Sequence, residues 1–319
     1  MAHDVPNPAD LIYTPAQVST LTLQALEARE QGKDIGLTLG IECVDKVLLP
    51  LLPTELVTVL ADSGNYKTGL MQWVARSVAA QLDATGDECV VYVTAEIAVE
   101  ESGLLDLGYT TGVDVAEMAR GNISDWDSLR QAAIRRGVIP VYVFGHSIGR
   151  RKSRPILNMN QIGLALRRLE DDMHLHPCLI LLDYLQRIAP DRGHEQVRLE
   201  FGETVNRAKD MALSFGSVVM MASQVKHDVS TRAWKLPTME DGLETSTIKH
   251  ASDKIIGCWR PFVTEGADAV VGKRGLKADK DLLILGIAKQ KFGPTGDWWP
   301  LSVDFARNQI RGQMEMRAL

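Results

Sequence analysis

Residues 61–68 read Ala-Asp-Ser-Gly-Asn-Tyr-Lys-Thr. A lysine and a hydroxyl residue stand side by side, after the aliphatic run Leu56-Val-Thr-Val-Leu60 and before a helical pattern. Strand, loop, Lys-Thr and helix is the order of a phosphate-binding loop. Backbone N–H groups and the helix N-terminus face phosphate oxygens, Lys67 neutralises the β and γ oxygens of ATP, and the Thr68 hydroxyl binds Mg2+. Ala61, Asp62, Ser63, Gly64, Asn65, Tyr66 and Gly69 complete the candidate cradle. Two positions depart from G-x-x-x-x-G-K-[ST]: Ala61 stands at the first glycine and Tyr66 at the second. The second position normally lacks a Cβ, so that the backbone can curl close to the phosphates. Gly64 and Asn65 are therefore expected to take the special backbone angles instead. A remnant loop that no longer binds ATP is the alternative reading.

A carboxylate fits the same chemistry. Leu179-Ile-Leu-Leu-Asp183 is a run of branched aliphatics ending in an acid. A buried parallel strand looks like this when it delivers one carboxylate to the carboxyl edge of a sheet. There Asp183 would sit with Thr68 beside the Mg2+ of bound ATP. Two more strand-like runs end in polar groups, Val90 to Glu96 and Val218 to Gln224. A lone glutamate after a strand is ordinarily a helix cap, so the role of Glu96 depends on its context.

These residues need a sheet to bring them together, and the pattern supplies one. Helical spacing covers 15–31, with Thr14 as N-cap and Gly32 as stop. Val18, Leu21, Ala25 and Ala28 give that helix an apolar side, and Leu26 widens it. A loop and helix cover 36–53. Strands are expected at 55–60, 88–94, 141–144, 179–183 and 218–222. Helices are expected at 67–82, 159–174 and 197–215, with 99–138 mostly helical and 150–154 a basic loop. Alternation of this kind predicts an α/β fold, a mostly parallel twisted sheet with helices on both faces. Segments 282–288, 298–303 and 309–311 read as an antiparallel group added to one edge. The expected division is a 1–35 extension carrying the first helix and a 36–319 α/β domain.

The bulk numbers set limits. The chain has 319 residues, 45% hydrophobic and 24% charged, which is enough for one large domain or two small ones. No apolar run approaches the roughly 20 residues of a membrane span, and Met-Ala-His-Asp-Val-Pro lacks a signal-peptide core. A cytoplasmic setting is expected, the host cytoplasm if the chain is phage-borne. Cys43, Cys89, Cys178 and Cys258 make no zinc spacing and read as reduced thiols. His174 and His176 read as a solvated helix end. A net charge of −6 argues against a protein that coats duplex DNA, but leaves room for a single strand in a narrow channel.

Asp183-Tyr-Leu-Gln186 and Gly293-Pro-Thr-Gly296 are the most specific pieces of the chain. With Leu37-Thr-Leu-Gly-Ile-Glu-Cys-Val-Asp45, the strand tips at Glu96 and Gln224, and Ile287-Ala-Lys-Gln-Lys-Phe292, they resemble in order the motifs of the DnaB-like replicative helicases. The resemblance spans about residues 35–310. It implies a RecA-like ATPase fold and a homo-oligomeric ring, expected to be a hexamer, with ATP between subunits. Glu96 then polarises the attacking water and Gln224 senses the γ-phosphate. Lys289 and Lys291 reach the ATP of the adjacent subunit. Lys291 stands at the family's arginine, and a point charge lacks the planar fork.

The resemblance also implies single-stranded DNA as a partner. It would be held by the 191–195 loop with Arg192, and by a segment from Lys226 through Arg232 to Glu244-Thr-Ser-Thr247 and Lys249. Asp241, Glu244 and Ile248 keep the family pattern, while Leu243 replaces its arginine and Ser246 its glycine. Thr245, Ser246 and Thr247 can still offer hydroxyls and N–H groups to phosphate. The family's primase-binding collar is expected to be lacking, with helix 15–31 in the place of the linker helix that docks on a neighbouring subunit. A helicase loader or a primase is the further partner implied. The competing reading is a catalytically weakened assembly or nucleic-acid-binding scaffold with a degenerate P-loop. A recombinase-like or KaiC-like relative fits less well, because of the Gly-Pro-Thr-Gly hairpin.

Overall fold

The computed structural model describes residues 12–32, 36–83, 85–149, 157–190, 197–243, 246–267, 269–273 and 275–314. The chain divides between Gly36 and Leu37 into two compact units. The first contains α1 (Pro15–Glu30), which starts at a capping box. The Thr14 hydroxyl accepts from Gln17 N at 3.3 Å, and Gln17 Oε1 accepts from Thr14 N at 2.8 Å. Val18, Leu21, Leu23 and Leu26 are all exposed. Leu23 stands away from the Val18–Leu21–Ala25 side, so the apolar surface of α1 is broader than its spacing suggests.

The second unit runs α2 (Glu42–Asp45), β1 (Leu56–Leu60), α3 (Lys67–Ala79), β2 (Glu88–Thr94), α4 (Val99–Thr111), α5 (Val115–Ala119), α6 (Trp126–Arg136) and β3 (Val141–Gly145). It continues with α7 (Met159–Met173), β4 (His176–Asp183), α8 (Val197–Phe215), β5 (Val218–Ser223), α9 (Thr247–Ala251), β6 (Lys254–Trp259) and α10 (Pro261–Glu265). A small hairpin of β7 (Val270–Val271) and β8 (Leu276–Lys277) precedes β9 (Leu282–Lys289), β10 (Trp298–Asp304) and β11 (Gln309–Gln313). Nine strands form one sheet, in the order β11-β10-β9-β6-β1-β5-β4-β2-β3. The six strands from β6 to β3 are parallel, and β9, β10 and β11 add an antiparallel edge. This is the α/β class the alternation predicts. No helix among the described residues is long and apolar enough to cross a membrane.

The central strands are buried on both faces, which is why they read as continuous aliphatic runs. Successive side chains go to opposite sides. Val57, Val59, Leu179 and Leu181 pack with Leu70, Met71, Val74 and Val78 of α3. Leu56, Leu60, Ile180 and Leu182 pack with Ile162 and Leu166 of α7 and with Val205, Ala208 and Met211 of α8. Cys89, Cys178 and Cys258 are buried free thiols, and Cys43 is half-buried.

One central strand escapes the sequence pattern. β6 lies between β1 and β9, yet it begins with Lys254 and carries Gly257. Lys254 is buried because its ammonium pairs with Glu55 and donates to Pro50 O at 3.1 Å. Gly257 faces the backbone, and a Cβ there would lie 2.5 Å from Pro237 O. Gly257→Ala is therefore expected to cost about 1–3 kcal/mol through forced repacking. A thermal melt reads this directly, and an unchanged midpoint would contradict the close approach.

Candidate functional site

The parallel strands all end at the same sheet edge, so their following residues meet there. A pocket of about 330 Å3 opens at that edge. Ser63, Gly64, Tyr66, Lys67, Thr68 and Gly69 line it from the loop after β1, Glu96 from the end of β2, Tyr184 from β4 and Gln224 from β5. Such a crevice outside the carboxyl ends of strands is where ligands bind in open α/β sheets.

The loop curls as a phosphate cradle does, by Gly64 as expected but with Tyr66 in place of Asn65. Gly64 takes φ +73° and Tyr66 takes φ +70°. Asn65 keeps an ordinary negative φ, so the expectation that Gly64 and Asn65 would spare Tyr66 is corrected. Tyr66 itself adopts the left-handed conformation, at a cost of roughly 1–2 kcal/mol for a residue with a Cβ. Asn65 instead anchors the loop. It is buried, its Oδ1 accepts from Arg260 N at 2.7 Å, and its Nδ2 donates to Ser63 O at 3.1 Å.

Lys67 begins α3 and is buried, with Nζ donating to Ala61 O at 3.1 Å and Asp62 O at 2.8 Å. Burial pushes its pKa down, while the nearby Asp183, Asp62 and Glu96 carboxylates pull it up. The ammonium rests on two carbonyls that an anionic ligand could replace.

Asp183 is 1% exposed. Its Oδ2 accepts from the Tyr92 hydroxyl at 2.5 Å. Burial raises the Tyr92 phenol well above its ordinary pKa, as does the Asp183 charge, so it stays a donor. Burial also raises the Asp183 carboxyl, against the pull of the Tyr92 and Thr68 hydroxyls beside it. Asp183 Oδ1 has no well-formed hydrogen bond among the described residues. A buried carboxylate oxygen left over next to a threonine hydroxyl fits a hard divalent cation. Mg2+ takes few protein ligands and completes its shell with phosphate and water.

Gln224 lies in the pocket wall, with Nε2 donating to the Tyr184 hydroxyl at 3.4 Å. Its backbone O accepts from Leu243 N at 3.0 Å. The strand tip and the segment expected to touch DNA are thus one hydrogen bond apart. In that segment Lys226 donates to Glu240 O at 2.7 Å, Arg232 forks onto the buried Asp241 at 2.8 and 2.6 Å, and Lys249 pairs with Glu240. Ser246 precedes α9 and Thr247 begins it. Arg192, Glu244 and Thr245, like the whole 150–154 loop, lie outside the described residues.

Lys289 and Lys291 are not brought to this pocket. β9 runs antiparallel to β6 and pairs Lys289 with Ile255, so its end lies at the opposite edge of the sheet. Lys289 donates to Lys249 O at 2.7 Å and Ser252 O at 2.5 Å, and Lys291 pairs with Asp253. The Gly293–Gly296 hairpin is held by buried Gln290, which donates to Val47 O at 3.2 Å and Pro294 O at 2.6 Å.

Four wall residues went unnoticed in the sequence: Leu105, Arg260, Phe305 and Asn308. The Arg260 guanidinium lies 3.6 Å above the Phe305 ring. Burial lowers its pKa, and its Nε has no partner among the described residues. No spacing rule links positions 66, 260 and 305. The missed strand β6 is what delivers Arg260.

Comparison with known proteins agrees with this geometry. Residues 36–309 match the family described as DnaB-like helicase C terminal domain. The chain is 23% identical over 288 residues to the replicative DNA helicase DnaB of Leifsonia xyli subsp. xyli, covering 89% of this chain and 58% of that protein. It is 24% identical over 270 residues to the replicative DNA helicase DnaB of Pasteurella multocida, covering 82% of this chain and 52% of that one. The chain thus spans little more than half the length of these relatives. Among solved structures, the ATPase domain of G40P superposes with a TM-score of 0.75 at 17% identity, covering 93% of this chain and 98% of that one. A DnaB-like replicative helicase studied for its interactions with primase superposes at 0.77 and 17% identity, covering 95% and 68%. The fold of this chain is thus that of the RecA-like helicase ATPase domains. A match that takes in the sheet, the phosphate loop and the Gly-Pro-Thr-Gly hairpin places this chain in the DnaB-like helicase C-terminal domain family.

Proposed function

We propose that the chain is an ATP-hydrolysing motor subunit that assembles into a ring and moves along single-stranded DNA in replication. One observation carries the reading. Lys67 and Thr68 line a pocket at one sheet edge together with Glu96 and Gln224, and the buried Asp183, with an unsatisfied oxygen, lies beside Thr68. Thr68 and Asp183 would hold Mg2+, whose charge neutralises the β and γ oxygens. Lys67 would exchange its two carbonyls for those oxygens. Glu96 is exposed at the pocket mouth, where it can orient a water. Gln224 would pass the state of the γ-phosphate to the DNA segment through Leu243. Lys289 and Lys291 would act on the neighbour's nucleotide, after leaving the Ser252–Asp253 turn. The Arg260–Phe305 plate suits a planar base. A loader or primase would be a partner of the assembled ring.

A second reading has support of its own. Tyr66 at the glycine position, with Lys289 and Lys291 satisfied within their own chain, favours a scaffold that keeps the fold but turns over little ATP. ATPase rates with and without single-stranded DNA separate the two. The motor is expected to be stimulated several-fold, and a folded oligomer with no turnover in either condition would be the scaffold.

Assembly provides another test. α1 exposes Val18, Leu21 and Leu26, and burying such a surface on a neighbour is worth roughly a few kcal/mol. Deleting residues 1–33 is expected to shift the chain toward monomer in light scattering and to lower its ATPase rate. An unchanged oligomer with unchanged turnover removes the role of the helix. A monomer at full rate removes the trans-acting lysines as well.

A further inference from the structure

Tyr66 is the strongest departure of this chain from a standard phosphate loop, and its ring is held in a built setting. The ring folds back over the first turn of α3. A Cβ placed on Gly69 would lie 2.0 Å from ring atom Cε2 and 2.5 Å from Cδ2 and Cζ. The ring therefore fills the volume that any side chain at position 69 would need. Its hydroxyl donates to Asn308 Oδ1 at 2.5 Å, and the ring packs perpendicular to that of Phe305, with centroids 5.0 Å apart and planes at 88°. Asn308 is itself fixed. It is 1% exposed, its Nδ2 donates to Gln72 Oε1 at 3.3 Å, and its O accepts from Arg76 Nη2 at 3.2 Å. A backbone conformation unfavourable for tyrosine is thus held by a glycine notch, a hydrogen bond and an aromatic contact.

The location gives the ring a task. Tyr66, Gly69, Phe305, Asn308 and Arg260 line the same pocket as Lys67 and Thr68. A triphosphate with its β and γ oxygens at Lys67 and Thr68 runs its α-phosphate and sugar past the first turn of α3. The route to the Arg260–Phe305 plate crosses the ring over Gly69. We propose that Tyr66 is a specificity-determining wall that contacts the ribose of a bound nucleoside triphosphate, and that Gly69 is required because Tyr66 is there. The ring would present an apolar face to the sugar, while its hydroxyl stays tied to the buried Asn308. This inference rests on the pocket being a nucleotide site. It adds that the site takes nucleotides in preference to bare polyphosphate, through this residue pair.

Calorimetric titration of the whole chain with Mg·ATP and with Mg·tripolyphosphate tests it. The variants are Tyr66→Gly, Tyr66→Phe, Gly69→Ala and the double variant Tyr66→Gly/Gly69→Ala, each first checked by thermal melt. Tyr66→Gly is expected to weaken ATP about tenfold, or about 1.4 kcal/mol, with a much smaller change for tripolyphosphate. Gly69→Ala is expected to weaken ATP similarly, because the new methyl displaces the ring. The double variant should bind about tenfold more tightly than the product of the two single effects, since residues in contact couple. Tyr66→Phe, which keeps the ring in its notch, should retain most of the preference for ATP even if a glycine variant folds poorly. Additive single effects, or equal losses for both ligands, would overturn the wall. Tripolyphosphate binding without ATP binding would make the ring a plug, and overturn the proposal while leaving the phosphate site intact. Binding of neither ligand by the parent would overturn the nucleotide reading along with it.

Discussion

Lys67→Ala and Glu96→Gln are each expected to abolish DNA-stimulated ATP hydrolysis, for different reasons that binding measurements separate. Lys67 is the buried cation of the loop, already close to the Ala61 and Asp62 carbonyls. On the proposed reading, its removal takes away charge that would act in a low-dielectric pocket on both bound and reacting phosphate. Turnover should fall by about a hundredfold or more, and Mg·ATP affinity should fall with it. Glu96 is exposed and touches no cradle residue through a hydrogen bond among those described. Gln at that position keeps the shape and loses the base, so turnover should also fall about a hundredfold or more. Nucleotide binding should persist. Steady-state ATPase assays with parallel nucleotide titrations check both arms. Hydrolysis at the parent rate by Glu96→Gln would show that another group activates the water. Tight ATP binding by Lys67→Ala would show that the lysine is not on the phosphates.

The second large effect concerns Asp183, where activity and stability should move in opposite directions. The carboxylate is almost fully buried and one of its oxygens lacks a well-formed hydrogen bond. Burying such a charge is costly unless it is paired. Asp183→Asn keeps the shape and can still accept from Tyr92, while removing the charge. The variant is expected to lose Mg2+-dependent hydrolysis by about a hundredfold or more. Without nucleotide it should melt higher than the parent, by roughly 2–4 °C. Trading stability for a strained or under-satisfied site is a recurring pattern in active sites. A variant that melts lower than the parent would mean the Asp183 charge is well satisfied within the apo fold. Unchanged turnover would mean the cation is held elsewhere.

The sequence alone reached the class of fold and most of the pocket, for an identifiable reason. Parallel strands buried on both faces must be aliphatic throughout, so the run ending at Asp183 and the run ending at Leu60 stand out without any tertiary knowledge. Chemistry at such a sheet gathers where the strands end, so the residues after each run point to the site. Lys67, Thr68, Asp183, Glu96 and Gln224 were legible on that basis, together with the order of the family's motifs. The first strand signal failed where composition and location part company. β6 carries a buried lysine neutralised by Glu55 and a glycine pressed against Pro237 O, and both depend on partners far along the chain. With β6 missed, Arg260 was missed too, and so was the Arg260–Phe305 plate.

Only the tertiary structure decided what becomes of Tyr66. Read locally, a tyrosine in a glycine position is a defect, and relief by Gly64 and Asn65 was the natural expectation. The fold instead places Asn308 and Phe305, more than 200 residues away in the chain, at the far end of the ring, and Gly69 beneath it. Local sequence states the strain of a left-handed tyrosine. Whether that strain is offset depends on contacts across the sheet, which no spacing between neighbouring residues encodes.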